Sequence, residues 1–550
     1  MNGPAWRPIA LAIVAIFASQ ANAQDTTPPP APSQAPLPAP LPAPPQAPLP
    51  APGQPPGQAA GQSADGEPRR PWTFTPFVSL TETYSDNVAA VADALARSGW
   101  ITDLTPGLRV EADSNRVRGF LEYRLHELRY STDSALDTRQ NFLLSRFTVD
   151  AIENFAFVDA RADITQESRS PFGAAPAADV PSASANRVET TTLQVSPWIR
   201  GQVGDYANYL LRARAGEVRT DDGTIPDTRS TEWSGRLASA SGGTRFGWSL
   251  EGSFANARND AIGSLDDSRL RARLYWTATP SLRLALSGGV DETDFAGPPT
   301  RREQTPGAGF TWIPSERLQL GALYERRVFG DGYSASAAYR ASRTAFIFTS
   351  TRDAAILPGL TATETRASLA DVLALMLAGG NPDPQARAAE ARRRLDDASL
   401  SAAPVLGSSL LSSRPVVYKQ TDAAVLFEGA RNTLALRYAY FEQREYGAAL
   451  DGSPAPAGAQ DLRRQSADAS WSYRFTPATT GTLVATHQRT NGLTEGTPDT
   501  RQSYVTAAIA TDLGPRTTAS AGVRRMRFDS TAPEASYTEN AVFAQISIRF

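Results

Sequence analysis

Most of the chain from residue 71 onward alternates between apolar and polar side chains with a period of two residues. In residues 269–276, for example, Leu270, Leu274 and Trp276 alternate with three arginines. Successive side chains of a β-strand point to opposite faces of its sheet, so this segment has one apolar and one charged face. The alternating segments are about 10 to 14 residues long, which exceeds the usual length of strands in soluble proteins. The pattern predicts membrane-spanning strands with a lipid-facing side and a wet side.

Short turn sequences and longer polar stretches alternate between these segments. Ten tight turns are predicted, among them 113–115, 153–154 and 514–515. Two strands for each turn, with one further strand at each end of the region, give about 22 strands within a range of 18–24. Short turns on one side and long loops on the other are typical of outer-membrane barrels. The predicted fold is therefore all-β, a transmembrane antiparallel β-barrel of the bacterial outer membrane.

In the last eleven residues, every second side chain is apolar and the final residue is aromatic. The apolar side chains of this set are Val542, Ala544, Ile546, Ile548 and Phe550. The segment resembles the terminal strand of bacterial outer-membrane barrels, which the barrel assembly machinery reads. The resemblance implies that Phe550, Ile548 and Ile546 form an assembly signal. Its implied partners are that machinery and outer-membrane lipid.

The first 70 residues differ in composition from the rest of the chain. Residues 1–23 have the pattern of a secretory signal peptide, with Arg7, an apolar run over 9–17 and a small-residue cleavage site. Residues 24–70 are rich in Pro, Ala and Gln, which predicts an extended periplasmic tether without a core. Residues 71–550 form the predicted barrel.

One segment within the barrel region, residues 353–413, has helical rather than strand spacing. An apolar face with i, i+3, i+4, i+7 spacing is formed by Leu369, Val372, Leu373, Met376 and Leu377. Pro382 and Pro384 interrupt this pattern, and a second, charged helical pattern follows. The segment occupies the position of an external loop. It is expected to cap the mouth, to fold into the lumen as a constriction, or to pack on a partner protein.

Composition excludes several classes of protein. The mean hydropathy of −0.33 and the absence of a long uncharged apolar run after the amino terminus exclude a helical membrane protein. The net charge of −3 indicates no nucleic-acid partner, and the absence of cysteine excludes thiol catalysis and cysteine-ligated metals. The sequence contains no glycine-rich phosphate loop and no His-x-x-x-His pair. No cofactor and no metal are predicted.

Charged side chains on the predicted inner face are the candidate binding residues. They are Arg118, Glu122, Arg124, Arg212, Arg214, Arg269, Arg271 and Arg273. In one interpretation they form a positive strip along a path for an anionic polymer, because Arg binds carboxylate and phosphate groups bidentately. In the other, they form a ladder of ion pairs with carboxylates of neighbouring strands. We favour the ladder, because the near-zero net charge supplies enough acids.

The two histidines, His126 and His487, are the only candidates for general-base catalysis. Outer-membrane hydrolases pair a histidine with carboxylates or a serine on the barrel wall. The sequence does not bring such partners together, so no catalytic residues are assigned and no enzyme activity is predicted.

The first barrel segment, residues 76–88 (PFVSLTETYSDNV), carries a further resemblance. It resembles the opening motif of outer-membrane proteins associated with the exosortase/PEP-CTERM system, and it is similar to barrels encoded with exopolysaccharide genes. The resemblance implies a pore or scaffold in such a surface system. The alternatives are a general porin or small-solute receptor, a barrel-wall hydrolase, and a secreted all-β adhesin. A TonB-dependent transporter is disfavoured, because the region before residue 71 is too proline-rich for a folded plug.

Overall fold

The protein is a closed barrel of antiparallel strands. A computed structural model describes residues 71–174, 186–221, 226–240, 245–259, 263–294, 300–355, 368–378, 384–398, 400, 415–445, 461–533 and 535–550. The predicted signal peptide and tether lie outside these residues. The strands are β1 (Trp72–Ser85), β2 (Gly99–Asp113), β3 (Val117–Tyr130), β4 (Thr138–Ile152), β5 (Ala156–Ser168), β6 (Arg187–Val203), β7 (Ala207–Thr220), β8 (Thr228–Ser239), β9 (Phe246–Asn259), β10 (Gly263–Thr279), β11 (Leu282–Thr293), β12 (Arg301–Gln304), β13 (Gly307–Ser315), β14 (Leu318–Arg327), β15 (Gly330–Arg340), β16 (Thr344–Ala355), β17 (Val416–Glu428), β18 (Asn432–Glu445), β19 (Leu462–Thr476), β20 (Thr479–Gly492), β21 (Thr500–Gly514), β22 (Thr517–Ser530) and β23 (Tyr537–Arg549).

Each strand pairs with its neighbours in the chain, and β1 pairs with β23, so that the barrel closes. Strands β12 and β13 both pair with β11. They are two pieces of one strand that is interrupted at Pro306. Proline has no N–H to donate to a ladder, which accounts for the break. The 23 segments therefore occupy 22 positions, and the predicted fold class and strand number are confirmed.

The two ends of the barrel differ in their connections. Ten short hairpin connections lie at one end, together with the start of β1 and the end of β23; we call it the turn end and the opposite end the loop end. Short turns face the periplasm in outer-membrane barrels, so the turn end is periplasmic. The expectation of long connections at the loop end is wrong in two places. Only residues 260–262 join β9 to β10, and Val328 and Phe329 alone join β14 to β15.

The apolar side chains of the alternating strands face the outer surface of the barrel. Leu274, Ile509, Val523 and Val542 are large apolar side chains that are at least half exposed on this surface. Side chains of this kind around a closed barrel form the band that contacts the lipid tails. No helix among the described residues is long and apolar enough to cross a membrane.

The seam between β1 and β23 is held by side chains of the motif in residues 76–88. At the loop end, Ser85 Oγ donates to Glu539 Oε1 over 2.9 Å, and Asp86 accepts from the main-chain N–H and the side-chain amide of Asn540, both over 2.7 Å. Asn87, which is buried, donates to a main-chain oxygen of β23 over 3.3 Å. These residues therefore stabilise the closure of the barrel.

The role of Phe550 as an assembly signal leads to the first testable prediction. The main-chain N–H of Phe550 donates to the oxygen of Pro76 over 2.9 Å, while 64% of the residue is exposed. Its removal costs one hydrogen bond, about 1 kcal/mol of stability. We expect deletion of Phe550 to lower the amount of barrel in the outer membrane severalfold, without lowering the temperature at which assembled barrel loses its heat-modifiable gel mobility. The variant Phe550→Tyr keeps the aromatic end and should assemble normally. Normal membrane levels after deletion would contradict the assembly role.

Candidate functional site

A cluster of nine charged side chains lies on the inner wall between β9 and β16. We call it the charge cluster; its members are Glu251, Asp267, Arg269, Arg271, Arg273, Asp291, Glu325, Arg327 and Asp353. Alternation along β10 directs all three of its arginines inward, because Leu270, Leu274 and Trp276 face lipid. The cluster contains four cations and five anions, and Arg236 of β8, 3.5 Å from Glu251, adds a fifth cation beside it, so the charges cancel.

Contacts in the charge cluster connect strands that are not neighbours. Arg327 of β14 forms an ion pair with Asp291 of β11 and another, over 3.1 Å, with Asp353 of β16. Arg269 of β10 lies 3.9 Å from the same Asp353. Only 5% of the Arg327 side chain and 1% of the Asp291 side chain are exposed. Buried charges are tolerated when they are paired, so each charge in the cluster depends on its partners on the other strands.

The remaining arginines of the cluster share one acid. Arg271 and Arg273 both contact Glu325, over 3.3 and 3.5 Å, and Arg273 also contacts Glu251 over 2.7 Å. Sequence reasoning identified the three arginines of β10 but missed Arg327 and all five acids. A signal for Arg327 was present, because it shares the inward parity with Glu325 on β14.

The other predicted lumen residues lie on the same inner face, and each has a partner of opposite charge. The pairs are Arg118 with Asp150 (3.6 Å), Arg124 with Glu122 (3.4 Å), Arg212 with Asp159 (3.2 Å) and Arg214 with Glu232 (3.2 Å). These pairs are separate from the charge cluster. Such pairing is what the ladder interpretation expects, and a role of these residues in binding stays a prediction.

The insertion between β16 and β17 contains two helices, as its spacing predicts. Helix α1 is Leu369–Leu377 and helix α2 is Pro384–Asp397. Ser368 and Asp371 form a capping box at the start of α1, each side chain accepting from the other residue's main-chain N–H. The predicted apolar face of α1 is buried at Leu369, Val372 and Leu373, with Met376 and Leu377 packed beside them.

The helices pack against the inner wall near the turn end, although the insertion leaves the barrel at the loop end. The wall residues in contact with the helix pair include Ala345 of β16, Ala424 and Leu426 of β17, and Ala435 of β18. Ala345, Leu426 and Ala435 lie within four residues of the turns that join these strands. Among the three expected placements, the described part of the insertion therefore occupies the lumen.

Helix α2 has polar contacts with two opposite walls. Arg394 lies 3.2 Å from Glu428 at the end of β17, and the guanidinium of Arg392 lies 5.1 Å from the ring centroid of Phe120 on β3. Eight strands separate β17 from β3 by the shorter route around the barrel. Arg394 also donates to Glu390 over 2.8 Å, which holds the pKa of the Glu390 carboxyl below its ordinary value. Helix α2 thus reaches across the lumen near its periplasmic end.

A second obstruction lies at the loop end. The connection that follows β5 carries Phe172 into an apolar cluster with Phe441 of β18 and Leu462 of β19. Arg464 donates to the main-chain oxygen of Pro171 in the same connection, over 3.3 Å. Because β5 and β19 lie on opposite walls, this connection crosses the external mouth.

The two histidines lie on opposite faces of the wall. His126 faces inward, with Nδ1 2.9 Å from an Asp103 oxygen and 3.0 Å from Thr105 Oγ1. His487 faces outward, with Nδ1 2.9 Å from Ser503 Oγ. Within the described residues, no group of three or more His, Cys, Asp or Glu side chains is arranged to hold a metal ion.

These features define the protein as a transmembrane β-barrel of the bacterial outer membrane, closed by 22 strands and carrying a helical insertion in its lumen. No family model and no curated protein matches the chain. Similar solved structures include the siderophore receptor PirA from Pseudomonas aeruginosa, with 9% identity, coverage of 87% of this chain and 80% of that chain, and a TM-score of 0.43. Another is the FrpB iron transporter (F5-1 variant) from Neisseria meningitidis, with 9% identity, coverage of 86% and 82%, and a TM-score of 0.44. A TM-score below 0.5 carries no conclusion about shared function.

Proposed function

We propose that this barrel is a receptor or gated channel for small polar solutes, with the helical insertion as its gate. The observation that carries the proposal is the position of α1 and α2 in the lumen near the turn end. A general porin keeps an open aqueous channel, whereas this insertion stands in the path between the two ends. Passage of a solute then depends on displacement of the insertion.

The insertion is able to leave its place without disruption of the wall. Strands β16 and β17 pair directly over their whole length, from Thr344 opposite Phe427 to Ala355 opposite Val416. The hydrogen-bond ladder of the barrel therefore does not include the insertion. In the described residues, α1 and α2 contact the wall through side chains, and such contacts are far easier to break than a ladder of buried main-chain hydrogen bonds.

Polar side chains on the inner wall support the proposal that the solute is polar. Buried inward-facing residues along β17 to β21 include Gln420, Asp468, Thr486, Gln488 and Gln502. Amide, hydroxyl and carboxylate groups of this kind bind hydroxyl and amine groups of small solutes. Some of these groups also bond one another, as Thr486 Oγ1 donates to Asp468 over 2.8 Å, so the inner wall presents a connected polar surface.

Solute uptake by proteoliposomes tests the proposal. In Leu373→Asp/Leu395→Asp, two charges replace buried side chains that pack α1 and α2 onto the wall, and each costs several kcal/mol in the packed state. We expect this variant to raise the swelling rate of liposomes in arabinose or glycine severalfold over the unmodified protein. The matched control is Arg393→Gln, at a position on α2 whose side chain is 71% exposed. Equal swelling rates for all three proteins would contradict a gating role.

A pore or scaffold in an exopolysaccharide or exosortase-linked system is the second candidate, and the motif in residues 76–88 supports it. The motif residues Ser85, Asp86 and Asn87 contact β23, so their observed contacts serve the closure of the barrel. Loss of surface polysaccharide after deletion of the gene would favour this candidate. Unchanged polysaccharide, together with impaired uptake of a small solute, would favour the receptor.

A further inference from the structure

Four arginines project from the outer surface of three adjacent strands, β20 to β22, at the loop end. We call them the arginine patch; they are Arg489, Arg501, Arg525 and Arg527. Arg489 and Arg501 are directly opposite each other in the pairing of β20 with β21. Like charges directly opposite each other on one face of a sheet are destabilising. An anion bound beside Arg501 would relieve this repulsion.

The acids near the arginine patch do not neutralise it. Asp499 lies 3.9 Å from Arg489. Asp529 lies 2.9 Å from Arg527 and is also directly opposite Arg501 in the pairing of β21 with β22. Among the residues that the structure describes, Arg501 and Arg525 form no ion pair. With four arginines beside two acids, the patch therefore keeps a net positive charge on the outside of the barrel.

The arginine patch lies at the level expected for lipid headgroups. Arg525 is opposite Asn540, and the next outward pair below it, Val523 and Val542, belongs to the apolar surface. Val542 is in turn opposite Tyr84, whose ring centroid lies 5.3 Å from that of Trp100. Aromatic side chains of this kind mark the boundary between lipid tails and headgroups in outer-membrane barrels. Arg525 thus lies at this boundary, and Arg527, Arg501 and Arg489 lie farther toward the loop end.

A groove of about 360 Å³ begins at Arg525, the member of the arginine patch that lines it, and follows the outer wall. Its apolar floor is formed by Tyr84, Val505, Ala507, Val523 and Val542, and Arg525 and Asn540 lie at its upper end. The small side chain of Ala507 between larger neighbours leaves space for part of an acyl chain. Positive charge above an apolar groove matches a lipid with an anionic headgroup.

We propose that this face binds one phosphorylated lipid of the outer leaflet, with its phosphate between Arg501 and Arg525 and an acyl chain in the groove. Arginine pairs bidentately with phosphate, and each arginine near an anionic lipid surface strengthens binding about fivefold. The site is on the outside of the barrel, so it does not depend on the proposed function of the lumen.

Native mass spectrometry of the full-length protein in a zwitterionic detergent tests this site, with diphosphoryl lipid A as the probe. We expect Arg501→Gln/Arg525→Gln to weaken binding roughly tenfold to thirtyfold. Val523→Trp fills the groove without a change of charge and should also weaken binding. The matched control is Arg219→Gln/Arg229→Gln, two arginines on the outer rim of β7 and β8 that both pair with Glu217, and it should bind as the unmodified protein does.

Heat-modifiable gel mobility shows whether each variant is assembled before its binding is measured. Equal binding by the unmodified protein and the Arg501→Gln/Arg525→Gln variant would overturn the proposal. The proposal would also fail if dephosphorylated lipid A bound as tightly as the phosphorylated probe. Displacement of the probe by an equal concentration of inorganic phosphate would show an anion site without lipid recognition, and would likewise overturn it.

Discussion

Deletion of residues 361–403 is expected to raise the single-channel conductance of the protein in planar bilayers on the order of tenfold, because a barrel of this strand number encloses a wide lumen unless something fills it. The deletion removes α1 and α2, which pack on Ala345, Leu426 and Ala435 near the turn end and reach Phe120 on the opposite wall. It leaves intact the ladder between β16 and β17. The shortened chain should therefore assemble as a barrel with a more open periplasmic end.

A deletion of similar kind elsewhere provides the control for this prediction. Residues 447–460 connect β18 to β19 at the loop end and are distant in sequence from the helices. Their deletion should leave the conductance close to that of the unmodified protein. Equal conductance of all three proteins would show that the insertion lies outside the conducting path, and the gating proposal would then be abandoned.

Replacement of Arg327 by Met is expected to lower the free energy of unfolding by about 3–5 kcal/mol, the usual cost when one partner of a buried ion pair is removed. Arg327 contacts Asp291 and Asp353, and neither it nor Asp291 is appreciably exposed. The variant leaves both carboxylates without their main cation. The temperature at which the folded gel mobility is lost should fall accordingly.

Two further variants distinguish the loss of the ion pairs of Arg327 from the general effect of removing an arginine. Arg229→Met removes an arginine whose side chain is 76% exposed and which pairs with Glu217, and it should change the midpoint little. Arg327→Met/Asp291→Asn removes the cation and one stranded anion, and it should recover part of the lost stability. An Arg327→Met effect no larger than that of Arg229→Met would show that the charge cluster does not hold the wall together.

Local alternation was sufficient to predict the wall of the barrel. Leu274 and Val542 face lipid as their parity predicts, and Arg269 and Arg273 face inward for the same reason. The number of strands followed from the turns, because a short turn-forming sequence between two alternating segments marks a hairpin. The short connection between β14 and β15, Val328 and Phe329, lies at the loop end and did not enter this count; it is followed by Gly330, which has a φ of +95°.

The sequence by itself determined which way each side chain points, because the two-residue period of a strand is a local property of the backbone. It also determined that residues 369–377 and 384–397 form helices, since their spacing and capping are local too. Only the tertiary structure decided that Arg327 meets Asp353, that α2 reaches Phe120, and that the arginine patch lies above an apolar groove. The first two contacts join elements that are not neighbours along the sheet, and the third depends on the register of adjacent strands. Their positions depend on how the closed wall curves, and no period within a single strand contains that information.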